Sequence, residues 1–239
     1  MSTSGDTVDR ATLEDLAAAS RILVDQGVFD AAGHVSMRHP SRPERFLMSR
    51  SLAPQMVTAD DIMEFDLDSN AIDPCGRNGF IERYLHGEIY RKRFDVMAVA
   101  HSHSPSVIAF GLSNTPMRAM YHNAAFLAAG VPVFDIREKF GTTDIVVSTA
   151  AKGAALAEVL ADKPVALLRA HGMVVVGSTL PVAVFRAIFT DISARIQHQA
   201  LALGGPLAAL DAEEGRLADV VNVQTVGRSW DLWKQRVMK

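Results

Sequence analysis

The sequence has 239 residues, of which 49% are hydrophobic and 21% charged, and its formal net charge is −3. This apolar content is enough for one large core, and the weak negative charge argues against a nucleic-acid-binding surface. No run of eighteen apolar residues is present, and the N-terminus lacks the pattern of a secretory signal. The lone Cys75 cannot form an internal disulfide. We therefore expect one cytoplasmic domain over residues 1–239, flexible at 1–8, that associates with neither a membrane nor a nucleic acid.

Apolar periodicity predicts alternating helices and strands along the chain. Threefold and fourfold spacing of apolar residues predicts helices over 12–27, 80–93, 148–160 and 181–203. Alternation and short apolar runs predict strands within 28–39, 46–49, 62–67, 96–100, 165–169 and 173–176. A further helix is expected after Ser104-Pro105, and the segment with Trp230 and Trp233 predicts two short helices. This order favours an α/β fold, a layered sheet flanked by helices, over a barrel or a bundle.

The segment Ala100-His101-Ser102-His103-Ser104-Pro105 carries the sharpest local signal. Side chains alternate along a strand, so His101 and His103 point to the same side, as a metal chelate requires. Both lie at the end of a buried strand and just before a helix. The alternative is a pair of polar residues in a turn, satisfied by backbone groups. On this pair alone the two interpretations remain open.

A third histidine, His171, lies in a tight turn between two apolar strands and precedes Gly172. A polar ring in this setting needs a partner, and a metal would supply one. Three imidazoles also leave an open coordination position for a substrate. The alternative is a turn histidine whose ring lies in solvent.

Glu82 is expected in the first turn of its helix, where the helix dipole favours an anion. A carboxylate near a metal can be a ligand before substrate arrives and a proton carrier afterwards. An ordinary helix-start glutamate explains the position equally well. His86, one turn later, is expected on the surface, and neither His122 nor His198 has a clear partner.

Together these residues resemble the class II aldolase/adducin family. The resemblance runs from about residue 12 to residue 203 and rests on four segments, 33–38, 82–90, 95–105 and 170–172. It implies that His101, His103 and His171 bind one divalent metal and that Glu82 is the acid/base. It further implies a three-layer α/β/α sandwich around a central, mostly antiparallel sheet. Fourfold homotetramers with the active site at a subunit boundary are also implied.

Three departures from the sugar-phosphate aldolases of this family bear on the substrate. His34 stands in place of an Asn, Ser51-Leu52 in place of a Thr-Gly pair, and Phe80-Ile81 in place of two serines. The groups of those aldolases would donate hydrogen bonds to a phosphate, which needs several small donors around its oxygens, and Phe80 and Ile81 cannot do so. The sequence therefore predicts that a phosphorylated sugar does not bind in the usual way.

The segment Ser49 to Pro54 resembles a branch that decarboxylates hydroxylated aromatic acids, of the 3-hydroxy-2-methylpyridine-4,5-dicarboxylate 4-decarboxylase type. In such a reaction, electrons of the broken carbon–carbon bond form an enolate that a metal stabilises. His34, Arg50 and Ser51 are the predicted substrate-binding residues, with the Arg50 guanidinium anchoring the carboxylate that stays on the ring. The alternative for Arg50 is a surface position in a loop.

Several functions remain open at this stage. The predicted function is a metal-dependent lyase, with a carboxy-lyase favoured over an aldolase acting on an unphosphorylated hydroxy-keto acid. An epimerase, a dehydratase or a metal-dependent oxygenase is a further option. A non-catalytic adducin-like module is disfavoured because such domains lose the metal histidines. Mn²⁺ or Zn²⁺ is the expected metal, with Fe²⁺ or Co²⁺ possible.

Overall fold

A computed structural model describes residues 8–238 of the protein. Most of the predicted flexible segment, residues 1–7, lies outside this range, while Val8 packs against the core. The strands are β1 His34–Arg38, β2 Arg45–Ser49, β3 Ile62–Asp66, β4 Ala71–Ile72, β5 Ala98–Ser102, β6 Val133–Phe134, β7 Val165–Leu168 and β8 Gly172–Gly177. The α-helices are α1 Arg10–Asp25, α2 Arg83–Lys92, α3 Pro105–Gly111, α4 Arg137–Phe140, α5 Ala150–Leu160, α6 Leu180–Leu203 and α7 Ala212–Val237.

The strands form one sheet in the order β4-β3-β2-β1-β5-β8-β7-β6. Neighbouring strands pair antiparallel throughout, except for the parallel pair of β6 and β7. Strand β5 lies at the centre between β1 and β8, and His34 of β1 pairs directly with His101 of β5. This register brings two of the predicted site residues side by side.

Alternation along the strands divides the core into two clusters. Val35 of β1 and Val175 of β8 pack on one face with α1 and α6. Val99 of β5 and Val174 of β8 pack on the other face with α2 and α5. The sheet therefore lies between two helix layers, which confirms the predicted α/β/α sandwich with its mostly antiparallel sheet. None of the helices among residues 8–238 has the length and hydropathy needed to cross a membrane.

Three elements differ from their predicted form. Strand β5 continues to Ser102, so His101 lies within the strand. Helix α2 begins at Arg83 and not at residue 80, so its predicted start was wrong, and Ile81 lies before it with 66% of its surface exposed. The C-terminal segment is one helix of 26 residues rather than two short ones. Its few buried residues recur on one face, Gly215, Asn222, Trp230 and Trp233, and this sparse pattern conceals the continuity of the helix.

Next to the turn between β7 and β8, strand β8 approaches strand β5 closely. Ala170 has a positive φ of 56°, and the His171 amide donates to the Leu168 carbonyl at 3.1 Å. A Cβ atom on Gly172 would lie 1.9 Å from the Ser102 carbonyl oxygen. Only glycine therefore lets β8 approach β5 at this point, and that approach brings His171 beside the histidines of β5.

Candidate metal centre and active site

Four predicted site residues converge where the central strand β5 ends and β8 begins. His101 lies in β5, His103 follows that strand, His171 lies in the β7–β8 turn and Glu82 is the N-cap residue of α2. One ligand atom from each lies within 4.8 Å of those of the other three. The spacing of His101 and His103 places both rings on the α2 side of the sheet, as strand alternation requires. We call these four residues the histidine–glutamate cluster.

The imidazole Nε2 atoms are the groups that meet. His103 Nε2 lies 3.2 Å from His101 Nε2 and 3.1 Å from His171 Nε2. Glu82 Oε2 lies 3.3 Å from His101 Nε2 and 3.5 Å from His171 Nε2. His101 is fully buried and Glu82 is 8% exposed, so water does little to screen the electrostatic interaction between these groups.

The second ring nitrogens show which atoms carry protons. His101 Nδ1 lies 2.9 Å from the Met173 carbonyl, which can only accept, so this nitrogen is the donor. His103 Nδ1 lies 3.2 Å from Asp30 Oδ2 and likewise donates. With both rings neutral, the two Nε2 atoms are unprotonated acceptors 3.2 Å apart, so a metal ion or a proton is needed between them. Three imidazole nitrogens and one carboxylate are a donor set that fits a divalent metal.

The electrostatics keep Glu82 ionised. Burial raises the pKa of its carboxyl, but the charges and hydrogen bonds of His101 and His171 outweigh burial and hold it well below its usual range. Burial lowers the pKa of His171, and Glu82 more than reverses this effect. Burial and the charge of His101 lower the pKa of His103. Glu82 is therefore a carboxylate at neutral pH, and its second oxygen, Oε1, accepts the Val147 amide at 2.9 Å.

A cavity of about 410 Å³ lies beside the cluster. Its polar wall includes Glu82, His103, His34 and Ser51. Apolar side chains form the rest of the wall: Ala31, Ala32, Leu52, Ala53, Phe80, Ile81 and Val146. The structure thus brings His34 and Ser51 to the cavity that the cluster borders. Burial, followed by the charges of His86 and His101, holds the pKa of His34 well below its usual value, so this ring is neutral.

Arg50 takes a different position from the other predicted site residues. It follows β2 next to Ser51, but it does not line the cavity. Its Nε donates to Asp61 Oδ1 at 2.6 Å, and its side chain is 39% exposed. Among the described residues, no arginine or lysine lines this cavity. The role of Arg50 as an anchor for a substrate carboxylate remains a prediction.

Two residues that contribute to the site were missed from the sequence. Asp30 orients His103, and its Oδ1 also accepts the amides of Ala32 and Gly33 at 2.8 and 3.0 Å. An aspartate two residues before Ala32 and three before Gly33 is a typical turn signal, and this signal could have identified Asp30. His86 was predicted on the surface, and this was wrong, because the ring is fully buried between α2 and β1. Its fourfold spacing from Glu82 was the available signal.

A larger cavity, of about 450 Å³, lies at the opposite ends of β5 and β8, near Val96 and Gly177. Its charged residues are paired within the protein. Arg93 contacts Asp95 at 2.6 Å, and Arg186 contacts Asp219 at 3.2 Å. This cavity therefore lacks the converging, mutually repelling lone pairs of the smaller one.

Comparison with known proteins places the chain in a family. Residues 14–198 match the Class II Aldolase and Adducin N-terminal domain. The chain belongs to this family, as the sequence motifs predicted. L-fuculose 1-phosphate aldolase from Glaciozyma antarctica PI12 superimposes with a TM-score of 0.78 at 22% identity. The superposition covers 99% of this chain and 93% of that one, which shows a shared fold.

Two curated relatives are closer in sequence. Decarboxylase tropJ of Talaromyces stipitatus is 34% identical over 239 residues, covering 90% of each protein. The 3,4-dihydroxyphthalate decarboxylase of Arthrobacter keyseri is 32% identical over 234 residues, again covering 90% of each. Both relatives are decarboxylases by name, in agreement with the branch that the Ser49–Pro54 segment indicated.

Proposed function

We propose that this protein is a metal-dependent lyase that decarboxylates a hydroxylated aromatic dicarboxylate. The observation that carries the proposal is the convergence of three imidazole nitrogens and the Glu82 carboxylate beside a cavity with mainly apolar walls. The names of the two curated relatives support the reaction type, and that of the Arthrobacter protein supports a substrate of the hydroxyphthalate class. Each match covers 90% of this chain and 90% of the relative.

His101, His103 and His171 would hold the metal, with Glu82 as a fourth ligand before substrate binds. When bound, the metal would stabilise the negative charge that develops on a substrate oxygen next to the breaking bond. Met173 and Asp30 fix the orientation of two of the rings by accepting their Nδ1 protons. Such partners set both the geometry and the basicity of histidine ligands.

Glu82 is ionised at rest, so its carboxylate has a lone pair that can take a proton. In the proposed reaction it takes the proton of the hydroxyl ortho to the carboxylate and transfers it to the ring carbon that bears this carboxylate. The carbon–carbon bond then breaks, carbon dioxide leaves, and the electron pair restores the aromatic ring with negative charge on oxygen. That oxygen finally takes a proton from water. The sum is one carboxylate and one proton converted to carbon dioxide and a ring C–H.

The walls of the cavity support an aromatic substrate. Phe80, Ile81 and Leu52 offer apolar surface to a ring, and His34 and Ser51 offer donors to its oxygens. Phe80 and Ile81, which stand where sugar-phosphate aldolases carry two serines, thus line the cavity with apolar side chains. We propose Mn²⁺ or Zn²⁺ as the metal, because three imidazoles and a carboxylate suit either ion.

A product assay tests this function. The protein, supplied with Mn²⁺ or Zn²⁺, is incubated with hydroxylated benzene and pyridine dicarboxylates, with unphosphorylated hydroxy-keto acids, and with fuculose and ribulose phosphates. We expect carbon dioxide from at least one dicarboxylate and no aldehyde from either sugar phosphate. Aldehyde release from a hydroxy-keto acid, without carbon dioxide from the aromatic panel, would establish the aldolase alternative. A protein with no stoichiometric metal and no turnover would be a binding module instead.

A further inference from the structure

A buried row of hydrogen bonds runs from the cavity wall into the space between β1 and α2. His34 Nδ1 lies 2.8 Å from His86 Nε2, and His86 Nδ1 lies 2.6 Å from Ser36 Oγ. Ser36 Oγ lies 2.8 Å from the Tyr90 hydroxyl. His34 is 3% exposed and the other three residues are fully buried. We call these four residues the buried network.

The two backbone periodicities bring the buried network together. His34 and Ser36 are two residues apart on β1, so both face α2. His86 and Tyr90 are four residues apart on α2, so both lie on the stripe that also carries Glu82. The network therefore lies along the face of α2 that also carries Glu82, the proposed acid/base. None of its residues is part of the histidine–glutamate cluster.

Only one arrangement of protons satisfies every member of the buried network. If Ser36 donated to Tyr90, the tyrosine proton would have no acceptor among residues 8–238, at a substantial cost for a buried group. Tyr90 therefore donates to Ser36, and Ser36 donates to His86 Nδ1. His86 then carries its proton on Nε2 and donates it to His34 Nδ1. The remaining proton of His34 must lie on Nε2, which makes no hydrogen bond to any described residue.

We propose that Ser36 and His86 are positioning residues that hold His34 as its Nε2–H tautomer, while Tyr90 completes the hydrogen bonding of Ser36. In this form His34 is a neutral N–H donor to an oxygen of the bound substrate. The inference deepens the proposed function, on which it rests, since the acceptor is an oxygen of the aromatic acid. It also explains why His34, whose ring centre lies 5.1 Å from that of His101, is a donor and not a fourth histidine ligand. A protonated Nε2 has no lone pair for a metal.

Nitrogen NMR of the full-length protein with isotope-labelled histidines tests the tautomer directly. Zn²⁺-loaded protein is used because the ion is diamagnetic, and the His34 and His86 signals are assigned from the spectra of His34→Gln and His86→Gln. In the unmodified protein, we expect protonated Nε2 and unprotonated Nδ1 in both rings. A proton on His34 Nδ1 would overturn the proposal, and the tautomer itself is read from the unmodified protein.

Two variants then separate positioning from packing. Ser36→Ala removes the donor to His86, so the His34 signals should move toward a tautomer mixture. Tyr90→Phe leaves the Ser36 proton free to reach His86, so the tautomer should persist. Binding of 2-hydroxybenzoate, measured by calorimetry at equal metal content, should weaken about tenfold or more in Ser36→Ala. It should weaken distinctly less in Tyr90→Phe. Equal losses in both variants, with an unchanged His34 tautomer, would show a packing role and overturn the proposal.

The failure of this inference is distinguishable from the failure of the proposed function. Carbon dioxide release by a protein whose His34 carries the proton on Nδ1 would refute the inference alone. The Nε2–H tautomer with Ser36-dependent binding, in a protein that releases no carbon dioxide from the aromatic panel, would support the donor role and refute the decarboxylase.

Discussion

Two groups of histidines, one partly buried and one fully buried, lie next to each other in this protein and differ in their hydrogen bonding. In the histidine–glutamate cluster, the outer nitrogens donate to Met173 and Asp30, and the inner Nε2 lone pairs face one another. In the buried network, each lone pair of His34 and His86 that faces the network meets a proton. The first group needs a cation, whereas the second is complete as a set of neutral side chains.

In this comparison, hydrogen-bond direction, rather than residue type, separates the proposed metal site from the proposed donor site. His34 and His101 pair directly across β1 and β5, yet we assign them different roles. The same reasoning separates the two cavities. In the larger one, Arg93 pairs with Asp95 and Arg186 with Asp219, so no set of facing lone pairs there calls for a cation.

Metal removal should have the largest effect. Dialysis against a chelator should abolish turnover, because among residues 8–238 no arginine or lysine lines the cavity to stabilise the developing negative charge. Addition of Mn²⁺ or Zn²⁺ should restore it. The check is the rate of carbon dioxide release before dialysis, after it and after metal return. Full activity in protein shown to be metal-free would remove the distinction between the two histidine groups.

Glu82→Gln should come next, with turnover reduced by roughly a hundredfold or more, the usual scale for a lost general acid/base. The amide cannot accept the substrate proton, while helix α2 is still anchored by the fully buried Leu85 and Ile89. Glu88→Gln, a change to another carboxylate of the same helix, is the matched control and should retain turnover. Near-normal turnover in a folded Glu82→Gln protein would mean that a different group moves the proton.

The role of Arg50 is tested by a pair of variants, because its guanidinium contacts Asp61. If Arg50 anchors a substrate carboxylate, Arg50→Ala should raise KM about tenfold or more at unchanged metal content. Arg50→Lys should recover only part of this loss, because an ammonium lacks the planar fork. Asp61→Asn should leave KM unchanged or lower it. If both Arg50→Ala and Asp61→Asn reduce stability and neither alters KM, the pair is structural.

The smallest effect concerns stability and pH. Burial, followed by the charge of His101, lowers the pKa of His86 from 6.5 to about 3 in the folded protein. Between these values the unfolded chain binds a proton that folded His86 does not, so stability falls as pH falls below about 6.5. From pH 7 to pH 5, metal-free wild type should lose about 1–2 kcal/mol more unfolding free energy than His86→Gln. Denaturant titrations at both pH values measure the difference, and parallel losses would contradict it.

Much of the fold could be predicted from local periodicity. Alternation gave the strands that form the two core clusters, and fourfold spacing located α2 and α6. Helix α7 was predicted as two helices because its buried positions include Gly215 and Asn222, which are not apolar signals. Gly215 is buried against Ala125 and Ala128, and Asn222 donates to the His122 carbonyl at 2.7 Å. Only the tertiary partners reveal that this helix is continuous.

The site was predictable to a lesser degree. Strand alternation paired His101 with His103, and the family motifs added His171 and Glu82. His86 and Asp30 could not be assigned, because their roles depend on contacts across 52 and 73 residues of sequence. Arg50, by contrast, was predicted as a substrate-binding residue, but it does not line the cavity. Its neighbour Ser51 lines the cavity, yet the side chain of Arg50 contacts Asp61, and no local pattern fixes that choice.

Metal stoichiometry tests the central claim most directly. Elemental analysis of the purified protein and of His103→Ala compares metal bound per chain, with His122→Ala as a control that removes an exposed histidine. We expect about one divalent ion per chain in the wild type and in His122→Ala, and little or none in His103→Ala. Equal metal content in all three proteins, or none in the wild type, would contradict a metal centre formed by these histidines.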